Sequence, residues 1–537
     1  MATAKEETAT FTLNLTENVR FNGAPAELTL GADGALRWRG VGVGVGGGGE
    51  RRVGLEEEVL GIEAEGSRLI RIRAFVGESE GVACGKGERV GKRARRDYVF
   101  EMPTDEAAMR WNDKLTDHIN SLGRPKHLFI IVNPFGGKKC GSKIFQAEVK
   151  SLLDAAGILY TAFSFFVPFF PLFLLSQFFR GLISSMLILQ ILSALETMHQ
   201  LHAQEIAYSL DISKYDGIVC VSGDGVLAEV VNGLLHREDW ETAIKMPLGV
   251  IPAGTGNGMA KSLLHSAGDL YSVSNAVFAI IRGHKRSLDV ATITQGETKF
   301  FSVLLLTWGL VADIDIESEK YRWMGSARLE FYALVRIMNL RKYSGRVQFV
   351  PAPGYEECGE PIKKVDVRKS DDNLSQEGQR NNAKPYCRSY HGPSVEFEDS
   401  EWRSLDGPFI SAWVNNVPWC AEDFMSAPEA KFSDGYLDVI IVRDCPKSAL
   451  LSMMLKMSDG SYIKSPYVMY LKVKAFRLEP GQRMEDPTNG GVIDSDGEVI
   501  ARGDKSHHRN QQKYLMAYGP PIEMTIDKGL ATIFSPC

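Results

Sequence analysis

The sequence has no basic excess: its 537 residues carry 61 Lys and Arg against 67 Asp and Glu, a formal net charge of −6. A nucleic-acid binder needs a surplus of cations to neutralise phosphates, so that class is disfavoured. Cysteine is sparse. The eight residues of this type form no CxxC pair and lack the dense spacing of a secreted disulfide scaffold, which points to a reducing intracellular compartment. The N-terminal stretch MATAKEETATF has neither the charged start and apolar run of a secretory signal nor a glycine at position 2 for myristoylation. Nothing in it directs export. The GxxxxGK[ST] phosphate loop is missing too, because the region around 136–139 offers only GG followed by KK. Apolar runs long enough to raise a membrane question are absent except for one, 162–195.

With 44% hydrophobic and 24% charged residues the chain has the composition of a folded globular protein, and its length exceeds what one core usually supports. Up to about residue 120, short runs alternate apolar and polar positions between glycines, which predicts a small β-rich unit. The glycine run 41–49 reads as a flexible loop. After Pro103, Thr104-Asp105-Glu106 opens a capped helix that ends at Gly123. A β unit closed by one helix suggests a pleckstrin-homology-like module over 1–122. From His127 the pattern becomes strand, glycine turn, helix, repeated three times, and predicts a parallel α/β domain over 123–287. From 288 to 537 the strands are no longer followed by helices, apart from a helical stretch at 326–340. This predicts an antiparallel β-rich domain, with 354–400 as a disordered surface loop.

Each of the three strand-end turns combines glycine with a polar residue, as phosphate binding requires. Glycine lets the backbone approach phosphate oxygens, and a helix N-terminus presents unpaired N–H groups to an anion. One such turn signals little; three in series in an α/β order point to a nucleotide at the strand carboxyl ends. The turns are Asn133-Pro134-Phe135-Gly136-Gly137-Lys138, Ser222-Gly223-Asp224-Gly225 and Pro252-Ala253-Gly254-Thr255-Gly256-Asn257. In this order they resemble the signatures of the diacylglycerol-kinase-type catalytic domain. The stretch WGLVADIDIESEKYRWMGSAR at 308–328 and Asp496-Gly497-Glu498 resemble the sphingosine kinase branch, including the sphingoid long-chain base kinases of plants.

The resemblance implies an ATP- and Mg²⁺-dependent lipid kinase. Asp224 becomes the base that takes the proton of a primary hydroxyl, with Ser222, Gly223 and Gly225 beside the substrate head; the local sequence alone equally allows Asp224 to cap the helix that follows it. Asn133, Pro134, Phe135, Gly137, Lys138 and Thr197 line the nucleotide, and Glu229 faces the same cleft. Gly254, Thr255 and Gly256 hold phosphates, Arg322 and Arg328 reach them, and Asp496, Gly497 and Glu498 serve nucleotide or magnesium. Asp315 matches the family position that binds the substrate amine, which separates a sphingoid base from neutral diacylglycerol; a helix cap is its structural alternative. A ceramide or diacylglycerol kinase of the same superfamily, or an inactive lipid-binding scaffold, are the competing functions. The stretch LEFYALVRIMNL with Met453, Met454 and Met457 could line an acyl slot, although methionines at helical spacing usually read as core.

A membrane-resident substrate implies peripheral contact of a cytoplasmic enzyme with intracellular membranes. The apolar segment 162–195 conflicts with this picture, since a single span there would put Asn133 and Asp224 on opposite faces of a bilayer. Its surroundings read as continuous without it, so it is expected to be foreign to the fold, an unspliced intron read as protein.

Overall fold

The computed structural model describes residues 15–41, 49–77, 92–134, 140–163, 201–325, 327–362, 389–503 and 514–536. Near the N-terminus, seven strands between Leu15 and Glu101 form an antiparallel sheet that the helix Asp105–Ser121 closes. Alternation builds it: in Leu69–Gly77, Ile70, Ile72 and Ala74 point inward while Arg71 and Arg73 stay at the surface. Trp38, Phe100, Trp111 and Leu115 fill the interior between sheet and helix. The helix is capped as its sequence predicts, Thr104 Oγ1 accepting the Ala107 N–H at 3.1 Å, with Asp105 and Glu106 in the first turn. The half-buried Arg124 guanidinium ties this unit to the next by donating to the carbonyls of Leu55 and Leu60, and Phe75 packs on Phe278 at 5.3 Å.

The rest of the described chain is organised by one sheet of 16 strands. Its parallel part contains Leu159–Phe163, β1 (His127–Val132), β2 (Gly217–Ser222) and β3 (Leu248–Pro252), side by side in that order. The inner strands β1, β2 and β3 are nearly continuous apolar runs because helices cover both faces. Among those helices are α1 (Asp224–Leu235) and α2 (Gly258–Ser266), each starting one turn beyond a strand end. The antiparallel part includes β4 (Lys285–Gln295), β5 (Leu305–Gly309), β6 (Val492–Ser495) and β7 (Ile522–Phe534). Helices α3 (Leu310–Glu317) and α4 (Ala327–Met338) follow β5 and pack on this part.

The two parts are continuous. Strand β7 pairs parallel with β3 at Ile533 and Leu248 and antiparallel with β4 from Lys285↔Phe534 to Thr294↔Glu523. The boundary expected at 287/288 therefore falls inside β4, a single strand whose partner comes from the far end of the chain. The loop expected at 354–400 also differs in part from the structure. Residues 363–388 lie outside the described residues, but Glu360–Pro361 pair with Arg403 and Ser404, and Tyr390 stacks between Trp240 and Phe301. Aromatic and backbone contacts hold these flanks although their composition is polar. Of the apolar segment at 162–195, Ala162 and Phe163 complete the strand beside β1 and the remainder lies outside the described residues. Among the described residues no helix is long and apolar enough to cross a membrane.

Candidate active site

The carboxyl ends of β1, β2 and β3 bring the three glycine turns together. A Cβ built on Gly254 would lie 2.3 Å from Gly223 Cα, so the second and third turns touch backbone to backbone and no larger residue fits. The third turn is braced internally: Asn257, with φ of 59°, accepts the Gly254 N–H through Oδ1 at 2.9 Å and donates to the Gly254 carbonyl through Nδ2 at 3.0 Å. At the first turn, Gly141 opens the helical run 141–156, where a Cβ would come within 2.3 Å of the Asn133 carbonyl oxygen. Asn257 and Gly141 are site-building residues beyond those singled out above; the only sequence sign of either is its place at the edge of a glycine turn.

Asp224 is the first residue of α1, but its carboxylate does not cap that helix. It accepts the N–H groups of Gly258 at 2.7 Å and Met259 at 3.0 Å, the first two residues of α2, whose own cap residue Asn257 is occupied with Gly254. The helix dipole and two N–H donors favour the anion, while burial opposes it. Burial wins, helped by the nearby charge of Asp496, and the Asp224 carboxyl is pushed up to about 6. Ser222 is buried and turns its hydroxyl onto the Gly223 carbonyl at 2.8 Å.

Glu229 lies five residues, a little over one turn, further along α1. Its carboxylate accepts the Ala203 N–H at 3.0 Å and so holds the start of the helix His202–Ser209. Burial, together with the charge of Glu498, pushes it up to about 7. Asp496 and Gly497 form a two-residue hairpin turn, with φ of 52° and 87°, that packs against the second glycine turn: a Cβ on Gly225 would lie 3.3 Å from the Asp496 carbonyl and 3.7 Å from Glu498 Oε1. The resemblance gave the Asp496 carboxylate to nucleotide or magnesium. In the structure it is buried and accepts Ser302 Oγ at 2.8 Å and the N–H groups of Val303, Leu304 and Leu305 at 2.8, 3.1 and 2.8 Å. That capture breaks the apolar run KFFSVLLLTWG into two strands at Val303 and Leu304.

At the other side of the cleft, Asp315 closes the last turn of α3. The buried Arg328 guanidinium stands 3.5 Å from its carboxylate, donates to its backbone carbonyl at 3.0 Å and also bonds Ser318 Oγ. The resemblance sends Arg328 to ATP phosphates; in the structure α4 folds back onto α3 and the guanidinium meets Asp315. Asp313 is fully buried, where Tyr343 OH donates at 2.6 Å and Arg341 at 3.1 Å, and it anchors α3 from below.

Many of these groups border one cavity of about 640 Å³, whereas Ser222, Asn257 and Asp313 stand behind its lining. Asn133, Gly223, Asp224, Gly225, Glu229, Gly254, Thr255, Gly256, Asp496, Gly497 and Glu498 surround its polar end, and Asp315 and Arg328 stand further along. The remaining wall is apolar, formed by Leu310, Ile314, Ile337, Trp413, Leu450 and Tyr462. Met453, Met454 and Met457, which helical spacing reads as core, line this wall, as do Leu329, Ala333 and Ile337 of α4. Pro134 is half-buried beside Asn133. Phe135, Gly137, Lys138 and Thr197, and the side chain of Arg322, lie outside the described residues. No group of three or more His, Cys, Asp or Glu residues poised to hold a metal occurs among the described residues.

Residues 176–293 match the family model described as the diacylglycerol kinase catalytic domain, and 394–509 match the YegS C-terminal NAD kinase beta sandwich-like domain. The chain is 50% identical to sphingosine kinase 1 of Arabidopsis thaliana over 97% of its own length and 96% of that protein. It is 49% identical to sphingosine kinase 2 of the same plant over 97% of each chain. Human sphingosine kinase 1 is 31% identical over 71% of this chain and 87% of the human protein.

Proposed function

Because the chain belongs to the sphingosine kinase family, we propose that its cavity carries out ATP-dependent phosphorylation of the primary hydroxyl of sphingoid long-chain bases. One observation supports the assignment most: a buried, helix-braced carboxylate, Asp224, at the meeting point of phosphate-type glycine turns and an apolar slot. Asp224 accepts the proton of the C1 hydroxyl as its oxygen bonds the γ-phosphorus. The bond from that phosphorus to the bridging oxygen breaks, and ADP leaves. Two lone pairs of the carboxylate are taken by Gly258 and Met259, which fixes its orientation without exhausting its capacity to accept.

The backbone of Gly254, Thr255 and Gly256, Asn133 with Pro134, Phe135, Gly137 and Lys138, and Thr197 and Arg322 are the groups we assign to ATP. Mg²⁺ takes few carboxylates plus phosphate oxygens and would offset their charge. Glu498, beside Gly225, is the carboxylate whose position fits it, whereas the Asp496 carboxylate is filled by four donors and suits a positioning role. Asp315 pairs with the substrate ammonium, and Arg328 orients Asp315. The apolar wall takes the hydrocarbon tail.

We read the chain as a pleckstrin-homology-like module over 1–122, a catalytic domain over 123–287 and a lipid-binding domain over 288–537, with 162–195, apart from the strand residues Ala162 and Phe163, foreign to the fold. Recovery of that segment in mature message and in purified protein would count against the last point. We further propose peripheral attachment of a cytoplasmic enzyme to intracellular membranes. Trp323, Phe331, Leu334, Met338 and Leu455 support this, since they expose large apolar side chains next to the cavity walls. The test is transfer of labelled phosphate from ATP to sphinganine, ceramide and diacylglycerol, with Asp224→Asn as control. Sphinganine is expected to be the substrate; transfer to the neutral lipids alone would overturn the reading.

A further inference from the structure

The cavity contains two polar side chains that the reaction above does not use. Thr307 on β5 and Asp494 on β6 are 2% and 3% exposed, and both line the cavity. They stand directly opposite each other in the antiparallel pairing of these strands, which puts their Cβ atoms about 5 Å apart on one face. Their neighbours Leu306, Trp308 and Ile493 turn to the opposite face and join the antiparallel core. Neither Thr307 Oγ1 nor Asp494 Oδ1 has a hydrogen-bond partner among the described residues. Asp315 is close enough for its charge to be the strongest electrostatic influence on Asp494.

An unpartnered hydroxyl and carboxylate oxygen in a buried wall are costly, and native proteins rarely leave both unsatisfied. A pair that faces an otherwise apolar slot is explained by a substrate group that completes it. Thr307 can donate or accept, so a ligand hydroxyl can bond both groups at once, with either of them as the donor. An ammonium could also donate to both, but the single amine of a sphingoid base is already assigned to Asp315, so a further hydroxyl is the group left to complete the pair. The two oxygens of Asp315 can span an amine and a hydroxyl on adjacent carbons, which accounts for C2 and C3 of any sphingoid base. The next polar position along the chain is C4.

We propose that Thr307 and Asp494 form a subsite for the C4 hydroxyl, making the enzyme selective for 4-hydroxylated sphingoid bases over those with a plain hydrocarbon at C4. This rests on the sphingoid-base kinase reading and names the substrate within it. A site built to hydrogen-bond a hydroxyl rejects the analogue that lacks it, because its own buried groups then stay unpaired.

The experiment compares kcat/KM for 4-hydroxysphinganine and sphinganine in the full chain, in Thr307→Val and in Asp494→Ala. The wild-type ratio is expected to favour the 4-hydroxylated base by about tenfold or more, and each substitution is expected to lower that ratio by about tenfold. Thr307→Val keeps the β-branched shape on a buried strand, so it carries the test alone should Asp494→Ala fail to fold. A wild-type ratio near one, or variants in which both bases lose kcat/KM equally, overturns the subsite while leaving the kinase reading intact. Wild-type failure on both bases overturns the kinase reading itself.

Discussion

The two ends of the cavity are built from different materials. At the phosphate end the chain uses backbone: Gly223 and Gly254 in contact, Asn257 bracing the turn, and Asp224 held by two amides of α2. At the lipid end it uses side chains on separate elements, with Asp315 on α3, Arg328 on α4, Thr307 on β5 and Asp494 on β6. The hairpin turn at Asp496 joins them, its carboxylate fixing the start of β5 and its carbonyl lying close to Gly225. A backbone-built end tolerates almost no substitution but makes few distinctions among lipids. A side-chain end, to which we assign substrate choice, can be altered one residue at a time.

The largest effect is expected at the phosphate end. Asp224→Asn removes the base and should lower kcat by about 10³-fold in steady-state transfer to sphinganine. Next, Asp315→Ala should lower kcat/KM for sphinganine by about 100-fold, mainly through KM, as loss of the partner of a bound charge does. A preference for sphinganine that survives this change would place the amine elsewhere. Asp496→Ala leaves a hydroxyl and three N–H groups without their acceptor and should cost about 3 kcal/mol of stability, read as a lower urea midpoint. A stable variant that lost only ATP affinity would return Asp496 to the nucleotide.

The smallest effect is in pH dependence. With the Asp224 carboxyl pushed up to about 6 by burial, the base is neutral below that value, so kcat/KM should fall tenfold per pH unit under about 6 and level off above it. The raised value also means that the folded protein holds this proton more tightly than the unfolded chain does. Its contribution to stability is therefore fully present below the ordinary carboxylate value near 3.8 and is lost as pH rises through about 6. A rate profile flat from pH 5 to 8 would remove Asp224 from the proton path.

Legibility in the sequence follows the same division. The phosphate turns are contiguous, so glycine spacing and strand-helix alternation mark them directly. What Asp224 caps was not visible, because α2 begins 34 residues later and only folding brings the two together. Asp496 reads only as part of a turn until its four donors from 302–305 are seen. The lipid end has no local signature: Thr307 and Asp494 are 187 positions apart in sequence and meet only through strand register. The long strand Val468–Arg483 is hidden in the sequence because Lys472, Lys474, Pro480 and Gly481 interrupt its apolar pattern and its inward positions change phase at Ala475 and Phe476. That 287/288 falls within a strand is hidden for a related reason, since the partner of β4 is the last strand of the described chain.

The most direct measurement is a comparison of kcat and KM for one sphingoid base in Asp224→Asn and Asp315→Asn, each at saturating ATP. The division of labour predicts a kcat loss with KM nearly retained in the first and a raised KM with kcat largely retained in the second. The same pattern of loss in both variants would contradict it.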